Sequence, residues 1–159
     1  MDASLAPPAL TCANGALKAR HVAASHSEAV VLGADTLVYI DNEPLGKPAD
    51  LDEALAMLSR LCGRTHQVCT GVALLCQALD HEETFHVITK VTFKMLSEAE
   101  QRDYLTKIDP LDKAGGYAAQ EHGELIISHI AGSWTNVVGL PMDEVAEKLQ
   151  PLGIMPTTG

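Results

Sequence analysis

Four segments of this 159-residue chain carry more polar chemistry than packing needs. The first is Gly33-Ala34-Asp35-Thr36. A carboxylate that ends a buried strand is held rigidly and faces the sheet edge where α/β proteins bind ligands. Taken alone it reads as an Asp capping a turn. The second is Leu45-Gly46-Lys47-Pro48. Glycine lets the backbone approach a ligand, and proline stiffens the loop behind the lysine. Taken alone, a loop lysine is usually just solvated. The third, Gly63-Arg64-Thr65-His66-Gln67-Val68-Cys69-Thr70-Gly71, sets hydroxyls and a histidine at a strand entrance, which turn chemistry largely explains. The fourth is Asp112-Lys113-Ala114-Gly115-Gly116-Tyr117-Ala118-Ala119-Gln120. A lysine followed by two glycines suits close contact with phosphate oxygens, against the plainer reading of a flexible loop.

Several familiar patterns are absent from the sequence. There is no G-x-x-x-x-G-K-[ST] loop and no G-x-G-x-x-G. The seven histidines show no H-E-x-x-H or paired metal-ligand spacing. Cys12, Cys62, Cys69 and Cys76 make no C-x-x-C pair and do not look like a disulfide framework, so a reducing compartment is expected.

The elements that must position these segments follow from pattern. A helix within Ala9 to Ala24, rich in Ala and Leu and interrupted by Gly15, comes first. The apolar run Ala29 to Ala34 fits a buried central strand that ends in Asp35-Thr36, and Leu37 to Ile40 resumes the extended pattern. Asp41 to Pro44 reads as a turn. Asp50 and Glu53 have capping-box spacing and open a helix. Its apolar face is Leu51, Ala54, Leu55, Leu58 and Leu61, and Gly63 stops it. Val68 to Leu75 and Phe85 to Met95 read as an antiparallel pair of strands. Ser97 and Glu100 form a second capping box, opening a helix to about Lys107. Ile108 to Gly116 is a loop, and Glu124 to Ile130 a strand. Pro141 fits the first turn of a last helix. The expected class is α/β (α+β by some schemes): a mixed, twisted sheet flanked by helices, in a single domain over 1–159.

Composition bounds the partners. Hydrophobic residues make up 47% and charged residues 20%, which argues against a disordered chain. The formal net charge of −10 argues against nucleic-acid polymers and anionic membranes as partners, while local lysines still permit a small anionic ligand. The first eight residues lack a basic and an apolar region of a signal peptide. The longest stretch without Asp, Glu, Lys or Arg, Leu125 to Met142, is too polar to span a membrane. The expectation is a soluble, cytoplasmic protein.

Together the motifs are far more specific than any one of them. Gly33-Ala34-Asp35-Thr36, Leu45-Gly46-Lys47-Pro48, Gly63-Arg64-Thr65-His66 with Thr70-Gly71, Asp112 to Tyr117 and Asn136-Val137-Val138-Gly139-Leu140-Pro141 occur in the order of one family. The sequence resembles the Maf (septum formation inhibitor-like) proteins of the inosine triphosphate pyrophosphatase-like superfamily, from about Ala9 to Leu149. The resemblance implies a nucleoside triphosphate pyrophosphatase. Such an enzyme cuts between the α- and β-phosphates with a divalent metal, Mg or Mn. Asp35 matches the catalytic aspartate, a proton acceptor close to the metal. Lys47 matches the lysine of the GKP motif, and Lys18 a lysine on the helix before the catalytic strand. Thr36 and Gln120 match positions that separate subfamilies, and the combination looks like the dTTP/UTP type.

The chemistry is consistent with that resemblance. A triphosphate needs converging lysines and a metal to hold its charge. The leaving pyrophosphate needs charge neutralisation, a role for Lys47 and Lys113. A glutamine amide at 120 offers the donor and acceptor that a pyrimidine edge demands. Asp35, Lys47 and Lys113 are expected to face one cleft. The sequence departs from the family at its start. The strand and Ser-x-Ser-Pro-Arg-Arg loop with which members begin, and the acidic residue that follows, are not found. A missing strand would expose a sheet edge, so a homodimer or another segment filling the gap is expected. The competing readings are a nucleotide-binding or regulatory protein without turnover, linked to septum formation, and the 7-methyl-GTP type.

Overall fold

The computed structural model describes residues 6–154. Residues 1–5, part of the segment expected to be no signal peptide, lie outside them. Helix α1 runs Pro7–Ala23, two residues earlier than the sequence suggests, because Pro7 and Pro8 occupy the first turn, where the missing N–H groups cost nothing. Strand β1 is Val31–Ile40, without the expected break at Asp35-Thr36. Asp41 and Asn42 then adopt left-handed conformations (φ 52° and 64°) and reverse the chain into β2, Glu43–Leu45. Pro44 is tolerated because β2 is an edge strand. Helix α2, Leu51–Leu61, starts where Asp50 accepts a hydrogen bond from the Glu53 amide at 2.8 Å. Leu58 and Leu61 are buried as expected, whereas Leu51 in the first turn stays exposed on a groove shared with Leu105 and Arg102.

Strands β3, Thr65–Cys76, and β4, His81–Phe93, form the expected antiparallel pair, longer at its tip than predicted. Helix α3, Glu98–Thr106, begins on a complete Ser97–Glu100 capping box. Strand β5 is Ile127–Ala131, since residues Gly123–Leu125 form a 3₁₀ turn. A short helix α4, Trp134–Val138, was not legible as a helix. Helix α5, Met142–Leu149, has Pro141 as its cap.

The sheet order is β2-β1-β3-β4-β5. The α/β class and the helix-flanked sheet are as expected. Where a mixed sheet was expected, all four pairings are antiparallel. The unit β2-α2-β3 is a crossover between strands of like direction, but β1 lies between them and pairs antiparallel with both. One face of the sheet carries α1, packed on β1 and β3 through Ala16, Ala19, Ala23, Val31, Ala73 and Leu75. The other face carries the main core, where Val38, Ile40, Val68 and Phe93 meet Leu58, Leu61 and Tyr104. The part of β1 before Val38 pairs only with β3 among the described residues, because β2 covers just Val38 to Ile40. No helix among the described residues is long and apolar enough to cross a membrane.

Candidate functional site

Successive residues of a strand point to opposite faces. Asp35 and Thr36 therefore serve two different surroundings, although they are neighbours on the open part of β1. Asp35 stands opposite Gly71 and two residues after Gly33, on the face that receives α1. The helix comes unusually close there. A Cβ on Gly71 would lie 2.3 Å from the Cys12 amide nitrogen, and one on Gly33 would lie 2.2 Å from the Gly15 carbonyl oxygen. This close approach brings Asn14 and Lys18, one helical turn apart, onto the carboxylate. The Asn14 amide donates to Asp35 Oδ2 at 2.9 Å, and Lys18 Nζ donates to Asp35 Oδ1 at 3.2 Å and to the Ala34 carbonyl at 3.1 Å. Cys12 and Cys69 lie nearby as free thiols, and burial raises both pKa values, which makes them poor nucleophiles.

Thr36 faces the other way. Its hydroxyl donates to the Gly139 carbonyl at 3.2 Å, so the Thr70 hydroxyl, 2.8 Å away, donates to Thr36. Above this pair lies a cavity of about 230 Å³. Thr36, Val38 and Val68 form its floor. One wall is the stretch from Lys113 to Gln120, and the other is Val137-Val138-Gly139 at the end of α4. Lys113 is largely covered, with Nζ 3.6 Å from Glu121 Oε2, while Gln120 is exposed at the rim.

Two anchors fix the lysine wall. The Gly115 amide donates to the Gly46 carbonyl at 3.0 Å, which ties the Gly46-Lys47 loop to it. The Tyr104 hydroxyl of α3 is within 3.3 Å of the carbonyls of Ala118 and Glu121, and accepts from the Ala118 amide at 3.3 Å. Burial pushes Tyr104 up to about 12, so it stays a neutral hydroxyl. The opposite wall is held by Asn136, whose Nδ2 donates to Val68 O, Val87 O and Thr89 Oγ1 at 3.0–3.2 Å.

The structure thus brings Thr36, Lys113 and Gln120 to one cavity and pairs Lys18 with Asp35 on the opposite sheet face. The expected single cleft of Asp35, Lys47 and Lys113 is divided, because Asp35 is not part of the cavity lining. Lys47 is exposed and joins the cavity wall only through the backbone of Gly46. Sequence reasoning placed Asn136 only as the first residue of the Asn136-to-Pro141 motif, without a role, and passed over Asn14 and Tyr104. Asn14 alone had a usable signal, its position four residues before Lys18.

The Maf-like protein family model matches residues 2–152. A dTTP/UTP pyrophosphatase of Akkermansia muciniphila is 47% identical over 152 residues, covering 96% of this chain and 79% of the relative. One of Myxococcus xanthus is 51% identical over 137 residues, covering 86% and 68%. One of Clostridioides difficile is 45% identical over 133 residues, covering 84% and 69%. With a family match across nearly all of its length and relatives this similar, the chain belongs to the Maf-like protein family.

Proposed function

We propose that this chain is a nucleoside triphosphate pyrophosphatase that hydrolyses dTTP and UTP to the nucleoside monophosphate and pyrophosphate. The observation that carries the reading is the open part of β1, where Asp35 and Thr36 adjoin, one beside the lysine-bearing helix and the other on the floor of the cavity. The base enters the cavity over Thr36, Val38 and Val68. Gln120 at the rim donates to and accepts from its pyrimidine edge. The triphosphate crosses the strand edge. Lys18, Lys47 and Lys113 take up its charge, with Lys47 and Lys113 on the departing pyrophosphate.

Asp35 is also the metal ligand in this reading. Among the described residues no group of three or more His, Cys, Asp and Glu could hold a metal ion. One carboxylate completed by substrate phosphates and water is a usual arrangement for Mg, so Asp35 fits such an ion bound together with its nucleotide. When bound, the divalent ion neutralises phosphate oxygens and polarises the phosphoryl group. Asp35 accepts a proton from the attacking water. The water oxygen bonds to the α-phosphorus, and the bond from that phosphorus to the bridging oxygen breaks. That oxygen leaves with the β- and γ-phosphates as pyrophosphate. Asn14 orients the carboxylate by holding Oδ2.

The same reading takes 1–159 as one Maf-like domain in the cytoplasm, where four free thiols are at home. Self-association as a homodimer belongs to the same reading, and light scattering over a wide concentration range tests it. A second reading, a nucleotide binder without turnover, is favoured by one observation: Asp35 lies outside the cavity lining. The deciding assay is pyrophosphate release, with a divalent metal, from dTTP, UTP, CTP, GTP and 7-methyl-GTP. Release from dTTP and UTP, reduced at least about a hundredfold by Asp35→Asn, is the expected result. Preference for 7-methyl-GTP overturns the substrate class. Equal release by Asp35→Asn overturns the role of Asp35. Nucleotide binding without release establishes the second reading.

A further inference from the structure

His66 lies in β3 and is fully buried. Its ring meets Phe93 and Tyr117 edge-on, with centroids 4.9 and 5.4 Å away. Its Nε2 is 2.6 Å from the Tyr117 hydroxyl. Burial lowers the His66 pKa to about 4, so the ring is neutral near pH 7. The tautomer follows by elimination. Nδ1 has no hydrogen-bond partner among the described residues. If Nε2 carried the hydrogen, both Nδ1 and the Tyr117 hydroxyl hydrogen would be left unsatisfied. With the hydrogen on Nδ1, Tyr117 donates to Nε2 and only the Nδ1–H is orphaned.

An orphaned N–H makes histidine a poor choice for packing alone, since an apolar side chain would fill the space without it. What the histidine adds is the bond to Tyr117. That tyrosine sits between Lys113 and Gln120 on the cavity wall. It follows Gly115 and Gly116, both in the left-handed region at φ 75° and 76°. The wall therefore turns sharply just before the tyrosine. Gly46 holds it at the turn, through Gly115, and Tyr104 holds it beyond, but neither of those anchors comes from β3. The His66–Tyr117 bond ties the wall to the strand that also supplies Thr70 and Val68.

We infer that His66 is a positioning residue, which through its hydrogen bond to Tyr117 sets the Lys113–Gln120 wall against the cavity and so fixes how tightly the nucleotide is held. The inference rests on the pyrophosphatase reading for its ligand, but not for its structural content. Four variants test it: Tyr117→Phe, His66→Leu, the double variant, and His66→Gln, whose amide can still accept from Tyr117. Amide hydrogen exchange over residues 113–120 is measured beside that of β3 and α2, and KM and kcat for dTTP are measured separately.

The expected result is faster exchange confined to 113–120 in Tyr117→Phe and His66→Leu. KM rises about tenfold and kcat stays within about twofold. The double variant is no worse than either single one, and His66→Gln recovers most of the loss. Exchange at 113–120 that stays as in the wild type, in folded Tyr117→Phe, overturns the inference. So does faster exchange spread evenly over all three elements, which marks a purely structural role. If the wild type releases no pyrophosphate from any nucleotide, the pyrophosphatase reading fails. The exchange pattern then decides the His66 inference by itself.

Discussion

The two faces of β1 are held together by different forces. On the α1 face, space decides: Gly15, Gly33 and Gly71 let a helix backbone lie almost on the sheet, and the charged groups there are partly solvated. On the cavity face, buried polar bonds decide: Thr36 with Thr70, Asn136 with β3 and β4, and His66 with Tyr117. The carboxylate proposed for chemistry thus stands where little of the fold depends on its charge. On the cavity face, Val38, Val68 and Tyr117 of the lining are part of the core. Damage to the first face should act through sterics or through catalysis, whereas damage to the second should act through unsatisfied polar groups.

The largest effect is expected from Gly71→Ala. The new Cβ would meet backbone atoms of Thr11 and Cys12 at 2.3 Å, and no side-chain rotation relieves that. The helix must move off the sheet, at a cost of at least about 3 kcal/mol. Gly46→Ala is the control. Nothing lies within 4 Å of its Cβ, and it should change stability by less than about 0.5 kcal/mol. Urea unfolding of both checks the pair. A neutral Gly71→Ala would mean that α1 rides loosely, and the contrast between the faces would fail.

The cavity face carries its own signature in pH. The ordinary histidine value is 6.5, and the folded value for His66 is about 4. As pH falls through 6.5 the unfolded chain takes up this proton first. Stability is therefore complete above that value and falls progressively down to about pH 4, by about 3 kcal/mol in total. Carboxylates add their own acid dependence. The measurement is thus the difference between wild type and His66→Gln in urea midpoints at pH 7, 6 and 5. Wild type should lose more with each step. Parallel loss in both would show that the ring titrates normally and is less buried than its surroundings imply.

Much of this contrast was legible in the sequence, but only where the cause is local. The capping box at Ser97 and Glu100 and the buried stripe of α2 depend on residues three or four apart, and both are present. Period two along β1 already separates Asp35 from Thr36. The expected single cleft ignored that alternation. Asn136 could not be read as a core residue, because its partners Val68, Val87 and Thr89 lie 47–68 residues away. The sequence pattern starts β4 at Phe85, since His81, Glu82 and Glu83 are polar, yet cross-strand pairing with Leu74, Leu75 and Cys76 carries it on to His81. Among the site residues, those in glycine-bearing motifs stood out, Asn136 among them though without its bonding role, while Tyr104 and Asn14, which lie outside those motifs, did not.

Asn136→Ala gives an intermediate effect. Its two amide hydrogens serve three acceptors, Val68 O, Val87 O and Thr89 Oγ1, so one hydrogen is shared. Truncation removes these bonds at the base of α4 and leaves a small void, costing about 2 kcal/mol in thermal or urea unfolding. A loss below about 0.5 kcal/mol would show that water replaces the amide, and that the cavity face is wetter than its burial suggests.

The smallest effect on stability is expected where the charges are most visible. Lys18 is 58% exposed and Asp35 20% exposed, and their 3.2 Å pair is open to solvent and salt. Such a pair contributes about 0–1 kcal/mol, less as ionic strength rises. Lys18→Met keeps the apolar stem and removes the charge, so urea unfolding should change by less than about 1 kcal/mol. The change should shrink further between 50 mM and about 0.5 M salt. In the proposed reaction, however, the same ammonium helps to hold a triphosphate beside Asp35. Pyrophosphate release by Lys18→Met should therefore fall about tenfold or more while stability hardly moves. A double-variant cycle with Asp35→Asn, read on stability alone, should give a coupling of less than about 0.5 kcal/mol. A larger coupling together with unchanged turnover would invert the comparison. The pair would then be a structural clamp for α1, and the positive charge beside the catalytic strand would belong to the fold and not to the substrate.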